Sequence, residues 1–493
     1  MTDSTASHRP APAPAVPPPA RRPAPPAKTR RTWPVVTATV VLLAALTTVA
    51  VGTLHAGDNE SDPGGLLTGY ALAWALFAAA AWTVRGLPTR PATVLVLLGA
   101  AAVLSAGLAA PPRTSNDMYR YAWDGRVQAA GISPYAHPPA APELARLRDD
   151  WLFPTKGSCE AWGLTRTGGG LCVRINRPTV PTIYPPVAEG WYLAVHAVSP
   201  PGSRHKPLQA GGAVLAFGTT LALLAVLRRR GDPRRAPARA ALWAWCPAVT
   251  FEAVNNAHID TLGVLLTVLA LGTATAGARR GALLGAAVAV KILPVLALPG
   301  ALSGQRRPVR ALRVTASAAA AVALAYLPYV LASGTDVLGY LPGYLHEEGY
   351  EPGHVRRFAL LRLVLPDTAA GVTAVVLLAL TALYVWRRGD PARPWRGALL
   401  LTGTALLVFS PGYPWYSLLV IALVALDGRW EWLTVTLAGT VLYLAGRLLP
   451  GFPLQAWAYG AAALTVTAGA CLRSTRHHGL RGVPGLHLTR RKR

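Results

Sequence analysis

Residues 116–135 read NDMYRYAWDGRVQAAGISPY and hold two carboxylates, Asp117 and Asp124, two arginines, Arg120 and Arg126, and four aromatic side chains. The stretch begins six residues after an apolar run that ends at Ala110, so Asp117 stands about two helical turns beyond a membrane surface. A carboxylate at that height can meet a lipid head group and an aqueous substrate together, and can accept the proton of an attacking hydroxyl. Tyr119, Tyr121 and Trp123 supply amphipathic rings suited to the interface or to sugar faces. Asp117 and Asp124 are seven apart, on one face of a helix, and the turn signal GISPY closes the segment. The plainer reading is a membrane-proximal loop with an aromatic belt in which Asp124 pairs with Arg120 or Arg126.

Three other segments concentrate polar groups: FEAVNNAHID with Glu252, Asn256, His258 and Asp260, HEEGYEPGHVRR with Arg356 and Arg357, and SPGYPWYS with Tyr413, Trp415 and Tyr416. Each has a bland alternative. Asp260 serves equally as a helix cap or a substrate contact; His258, Asp260 and a loop acid could also meet at a metal, although no metal site is assigned. Lys291, in AVKILPVLALP, either binds phosphate or snorkels. Trp415 and Tyr416 are interface anchors or sugar platforms.

The elements that must carry these groups follow from composition. The 493 residues are 52% hydrophobic and 14% charged, with mean hydropathy +0.34, whereas soluble chains carry about a quarter charged residues. Apolar runs at 33–54, 66–84, 91–110, 209–227, 240–254, 259–275, 311–332, 368–385, 397–409, 414–425, 432–449 and 454–472 predict an all-α polytopic membrane protein of about twelve helices. Runs 184–199, with Glu189 and His196, and 281–302, broken by KILP, are expected to be interfacial or re-entrant. That choice keeps RRRGDPRRAPAR (228–239) and the arginines around 281–302 cytoplasmic, together with both termini.

The membrane domain then covers 33–472. It is preceded by a disordered Pro- and Arg-rich tail, 1–32, and followed by a basic tail, 473–493. Two long external loops, 111–208 and 333–367, hold the polar motifs. The net charge of +26 lies in short clusters between apolar runs, which argues against a nucleic-acid partner. Cys159 and Cys172, thirteen apart in the first external loop, form either a disulfide around GLTRTGGG or two free thiols. Cys246 and Cys471 sit in apolar runs as small hydrophobes.

The order Asp-x-Tyr, Asp seven on, Gly-x-Ser-Pro-Tyr and then PTIYPP (181–186) resembles the external catalytic loop of bacterial GT-C glycosyltransferases that use polyprenyl-phosphate mannose. The likeness is greatest to α-1,6-mannosyltransferases of lipomannan-type synthesis and the related glycosyltransferase family 87. CPAVTFEAVNNAHIDTLGVLL resembles the family's Asn-Pro, Glu and Gly-His-x-Asp segment, AVKILPVLALP its Lys-x-x-Pro hairpin, and YPWY a late aromatic motif. Here Ala257 replaces the Gly that often precedes the His, and Cys246 the Asn that commonly precedes the Pro.

The resemblance implies a GT-C-type bundle in a bacterial plasma membrane, with its site on the extracytoplasmic face. It implies a polyprenyl-phosphate sugar as donor and a glycan or glycolipid as acceptor. No tightly bound cofactor is expected, and the need for a divalent metal is left open. Asp117 becomes the base, with Tyr119, Asp124, Arg126, Tyr135, Tyr184, His258, Asp260, Lys291, Trp415 and Tyr416 about the substrate. Polyprenyl phosphate leaves readily but needs a cation, for which Arg356 and Arg357 are the candidates. A lipid-linked sugar flippase is the alternative, although most runs lack the mid-span charges a transporter uses; a non-catalytic scaffold is a third.

Overall fold

In lipid every backbone N–H and C=O must be satisfied within the chain, and uncharged runs do this as helices. The computed structural model describes residues 32–273, 277–305, 307–338, 340–347 and 357–479; residues 1–31 of the N-terminal tail, Arg356, and the basic tail beyond 479 lie outside these. The helices in order are α1 Trp33–Ala56, α2 Pro63–Thr83, α3 Thr89–Ala106, α4 Asp117–Ala129, α5 Pro186–Val198, α6 Lys206–Arg230, α7 Ala236–Ala244, α8 Asp260–Gly272, α9 Ala278–Val288, α10 Leu298–Ala301, α11 Pro308–Ser333, α12 Leu341–Glu347, α13 Asp367–Arg388, α14 Pro394–Phe409, α15 Leu418–Asp427, α16 Leu433–Ala445 and α17 Leu454–Gly479. Among the described residues the one sheet is a two-residue antiparallel ladder, Thr165–Arg166 with Cys172–Val173. The protein is an all-α polytopic membrane protein.

Each of the twelve runs contains helix, but among the described residues six helices are long and apolar enough to cross a bilayer: α1, α2 with the turn after it, α3, α6, α11 with its extension, and α13. A bent pair, Val249–Asn255 with α8, makes a seventh if counted as one span. The run 240–254 is not one rod. It leaves the α-helix after Ala244, ahead of Pro247, which has no N–H to continue the ladder, and re-forms as a π-helix over Val249–Asn255. The run 281–302 is likewise broken: α9 ends at Val288, and Lys291 precedes a short 3₁₀ turn, Leu293–Ala297, that leads into α10. At thirteen residues α5 is too short to span. The tail expected from 473 starts as the last turns of α17.

Two kinds of helix face separate lipid from core. α11 and α13 turn Leu324, Leu331 and Val375 outward, as helices bathed in lipid do. α15 is buried throughout Leu418–Leu426 and packs against α7, α8 and α14. On one end of this bundle the first long loop folds as a small subdomain in which α4 packs on α5. Gly125 permits the close approach, because a Cβ there would lie 2.5 Å from the Tyr192 backbone oxygen. Arg120 holds Asp124 through both carboxylate oxygens, at 2.9 and 3.0 Å, and donates to the Val180 carbonyl. A Cys159–Cys172 disulfide, Cα to Cα 5.8 Å, ties the hairpin to this subdomain.

Candidate functional site

The first turn of α4 opens onto a cavity of about 500 Å³ lined from both sides of the bundle end. Asp117 is the first helical residue and is only 15% exposed. The Asn176 amide donates to its Oδ1 at 2.5 Å. Its Oδ2 lies 3.7 Å from Nδ1 of His258, whose Nε2 lies 3.4 Å from a Glu252 oxygen. Among the described residues neither ring nitrogen has a hydrogen-bond partner. The imidazole is stacked on Trp415 at 4.0 Å between centroids, and Trp415 in turn on Tyr413 at 4.7 Å. An ordered aromatic floor thus runs under the carboxylate.

The local backbone explains how His258 gets there. Val249–Asn255 and α8 meet at 113°, and the chain turns between them through Ala257, whose φ of +53° is the left-handed region disfavoured for any residue with a Cβ. The turn is held by the His258 N–H to the Glu252 carbonyl at 2.9 Å. The Asn255 amide donates to the carbonyls of Gly107, Ala110 and Pro111, capping the end of α3 that leads to Asp117. Asn256 donates to Glu252 at 2.9 Å and to Thr114 at 2.6 Å.

Cations face the carboxylate across the cavity. Lys291 pairs with Asp260 at 2.7 Å and lies 4.7 Å over the Tyr416 ring. Arg177 pairs with Glu347 and lies over Tyr344, whose hydroxyl meets that of Tyr416 at 2.6 Å. Arg447, paired with Glu60 at 3.3 Å, also lines the cavity. Burial raises the Asp117 carboxyl above the ordinary aspartate range, with the Lys291 and then the Arg177 charge opposing it.

Of the residues singled out in the sequence, Asp117, Tyr184, Lys291, Tyr413, Trp415 and Tyr416 line this cavity. His258 and Asp260 support it through Asp117 and Lys291 respectively. Four others lie elsewhere. Tyr119 packs edge-on against Trp151, and Asp124 is buried against Arg120 beside Thr182 and Glu189. Arg126 pairs with Asp149 at 2.6 Å, and the Tyr135 hydroxyl donates to the Tyr184 carbonyl at 2.6 Å, bracing it from behind. The helix face shared by Asp117 and Asp124 therefore divides in role. Arg357 is buried outside the lining and acts by its charge on Tyr344 and Tyr416.

Asn176, Arg177, Tyr344, Glu347, Tyr443 and Arg447 line the cavity without having been singled out. Asn176 and Arg177 sit four and five residues beyond Cys172 in RINRP, so the disulfide loop was the available signal. Among the described residues no group of three His, Cys, Asp or Glu side chains is placed to hold a metal ion.

The model of glycosyltransferase family 87 matches residues 183–411, a little under half of the chain, and supports a glycosyltransferase on this membrane scaffold. The match takes in Tyr184, His258, Asp260, Lys291 and the whole bent segment, and stops short of Trp415. No curated protein and no solved structure matches the chain.

Proposed function

We propose that the protein transfers a hexosyl residue, mannosyl by resemblance, from a polyprenyl phosphate carrier to a glycan or glycolipid on the extracytoplasmic face of a bacterial plasma membrane. The observation that carries this is the sharing of one cavity by a half-buried carboxylate, Asp117, and the cations Lys291 and Arg177, over an aromatic floor at the end of the membrane bundle.

In this scheme an acceptor hydroxyl attacks the anomeric carbon, with inversion, and gives its proton to Asp117 as the new C–O bond forms. The bond from the anomeric carbon to the phosphate oxygen breaks, and its electrons leave on polyprenyl phosphate. Lys291 and Arg177 neutralise the charge that develops there. The Asn176 amide, which donates to Oδ1, fixes the carboxylate's position, and His258, stacked on Trp415, lies beside it. The donor is consumed as substrate, no tightly bound cofactor takes part, and no nucleic acid is involved.

The test is a proteoliposome assay with radiolabelled polyprenyl-phosphate mannose or nucleotide-linked mannose supplied separately. Label moving into a glycan or glycolipid from the lipid carrier alone is the expected result. Label that crosses the bilayer still attached to its carrier, with no transfer, would identify a flippase; transfer from the nucleotide sugar alone would overturn the donor assignment.

A further inference from the structure

A second cavity, about 530 Å³, lies on the other side of α4, between α4, α5 and the linker that leads into α6. It shares a wall with the first. The Tyr121 ring lines the second cavity and touches, edge-on at 5.0 Å, the Tyr184 ring that lines the first.

We infer that this second cavity binds a neutral hexose oligosaccharide, holding the part of the acceptor glycan remote from the reacting sugar. Its role as an acceptor subsite rests on the glycosyltransferase reading; its sugar binding does not.

The lining has the chemistry for uncharged polyols. The half-buried Trp151 offers an indole, and Tyr121 and Tyr192 are stacked at 4.5 Å, so aromatic surface is present for the C–H faces of pyranose rings. Arg126 pairs with Asp149 at 2.6 Å and donates to the Leu147 carbonyl, so its guanidinium is engaged within the wall. Asp150 and the exposed Arg204 bring one charge of each sign. Burial and the Arg126 charge hold His196 below the ordinary imidazole range, so it faces the cavity as a neutral donor and acceptor. Most telling is Tyr192, only 1% exposed, whose hydroxyl has no hydrogen-bond partner among the described residues. A buried unpaired hydroxyl lowers stability, and a polyol that enters and shifts this wall supplies the missing partner.

The test titrates the full-length protein in nanodiscs with linear mannotriose and maltotriose, followed by saturation-transfer NMR, alongside thermal unfolding. Tyr192→Phe keeps the stacked ring and removes the unpaired hydroxyl. It is expected to keep or raise Tm while weakening oligosaccharide binding about threefold to tenfold. Trp151→Ala is expected to weaken it about tenfold, whereas Trp415→Ala, in the first cavity, leaves it unchanged. Binding that survives both Tyr192→Phe and Trp151→Ala, that is lost in Trp415→Ala, or that inorganic phosphate displaces would overturn the assignment, as would no binding at all. None of these readouts needs transfer, so an inactive protein that still binds sugar through Trp151 and Tyr192 would sink the transferase reading and leave the site standing.

Discussion

At the scale of the residue, Asp117 and Asp124 are the same side chain at two positions of one helix, and their surroundings separate them. Asp124 is closed in with Arg120, whose Nε–H reaches both carboxylate oxygens, and breaking such a buried pair costs about 3–5 kcal/mol. Asp117 faces a cavity with its cations at a distance. The first half of this division was open in the sequence as a choice between Arg120 and Arg126; spacing shows which residues share a face but not what closes over it. Because burial raises the Asp117 carboxyl, the folded chain holds that proton more tightly than the unfolded one. Stability therefore falls as pH rises from the ordinary aspartate value, about 3.9, through the folded value. Activity requires the ionised base, so the acid limb of the rate profile is expected above that ordinary value. Lys291→Met removes the largest opposing charge and is expected to move the limb to still higher pH, with Arg177→Gln moving it the same way by less. A pH–rate profile checks both, and an unmoved limb in both variants would contradict the electrostatic coupling.

At the scale of the element, the breaks matter more than the rods. Twelve apolar runs were legible because lipid admits few alternatives to helix, but the sequence shows neither the 113° bend nor the π-turn, since no periodicity marks a change of hydrogen-bond register. One residue did point to it. Ala257 stands where the similar family often has Gly, and its φ of +53° shows why Gly suits the position. Ala257→Gly relieves a left-handed conformation worth about 1–2 kcal/mol, offset by the looser unfolded chain and the loss of a buried methyl. It is expected to leave Tm unchanged or raised, whereas the same change at Ala270, inside α8 and fully buried, is expected to lower stability by about 1 kcal/mol. Thermal unfolding of the two variants in parallel checks this; equal losses would mean that the bend is not under that constraint.

At the scale of the whole molecule, the polar loops converge on one end of the bundle, while the arginine-rich turn between α6 and α7 leaves α6 at its C-terminal end. The cavity lining comes from loop segments as far apart as Asn59 and Arg447, a convergence that sequence suggests only through the clustering of charge. Residues such as Arg447 carry no local motif and so remained hidden. An extracytoplasmic site with cytoplasmic termini predicts a labelling pattern. In a Cys471→Ser background, a membrane-impermeant maleimide applied to intact cells is expected to label Ala136→Cys, in the first loop, and to reach Arg234→Cys, in the turn after α6, only after permeabilisation. The reverse pattern would invert the topology.

The central claim is that Asp117 takes a proton from the acceptor hydroxyl while a sugar leaves its lipid phosphate. The most direct measurement is transfer of radiolabelled mannose from polyprenyl-phosphate mannose to membrane glycans by the intact protein and by Asp117→Asn, at matched amounts of folded protein. Loss of a positioned base lowers the rate about 10²–10⁴-fold, and a drop of that size with Tm kept or raised is the result expected here. Equal transfer by both proteins would contradict the account.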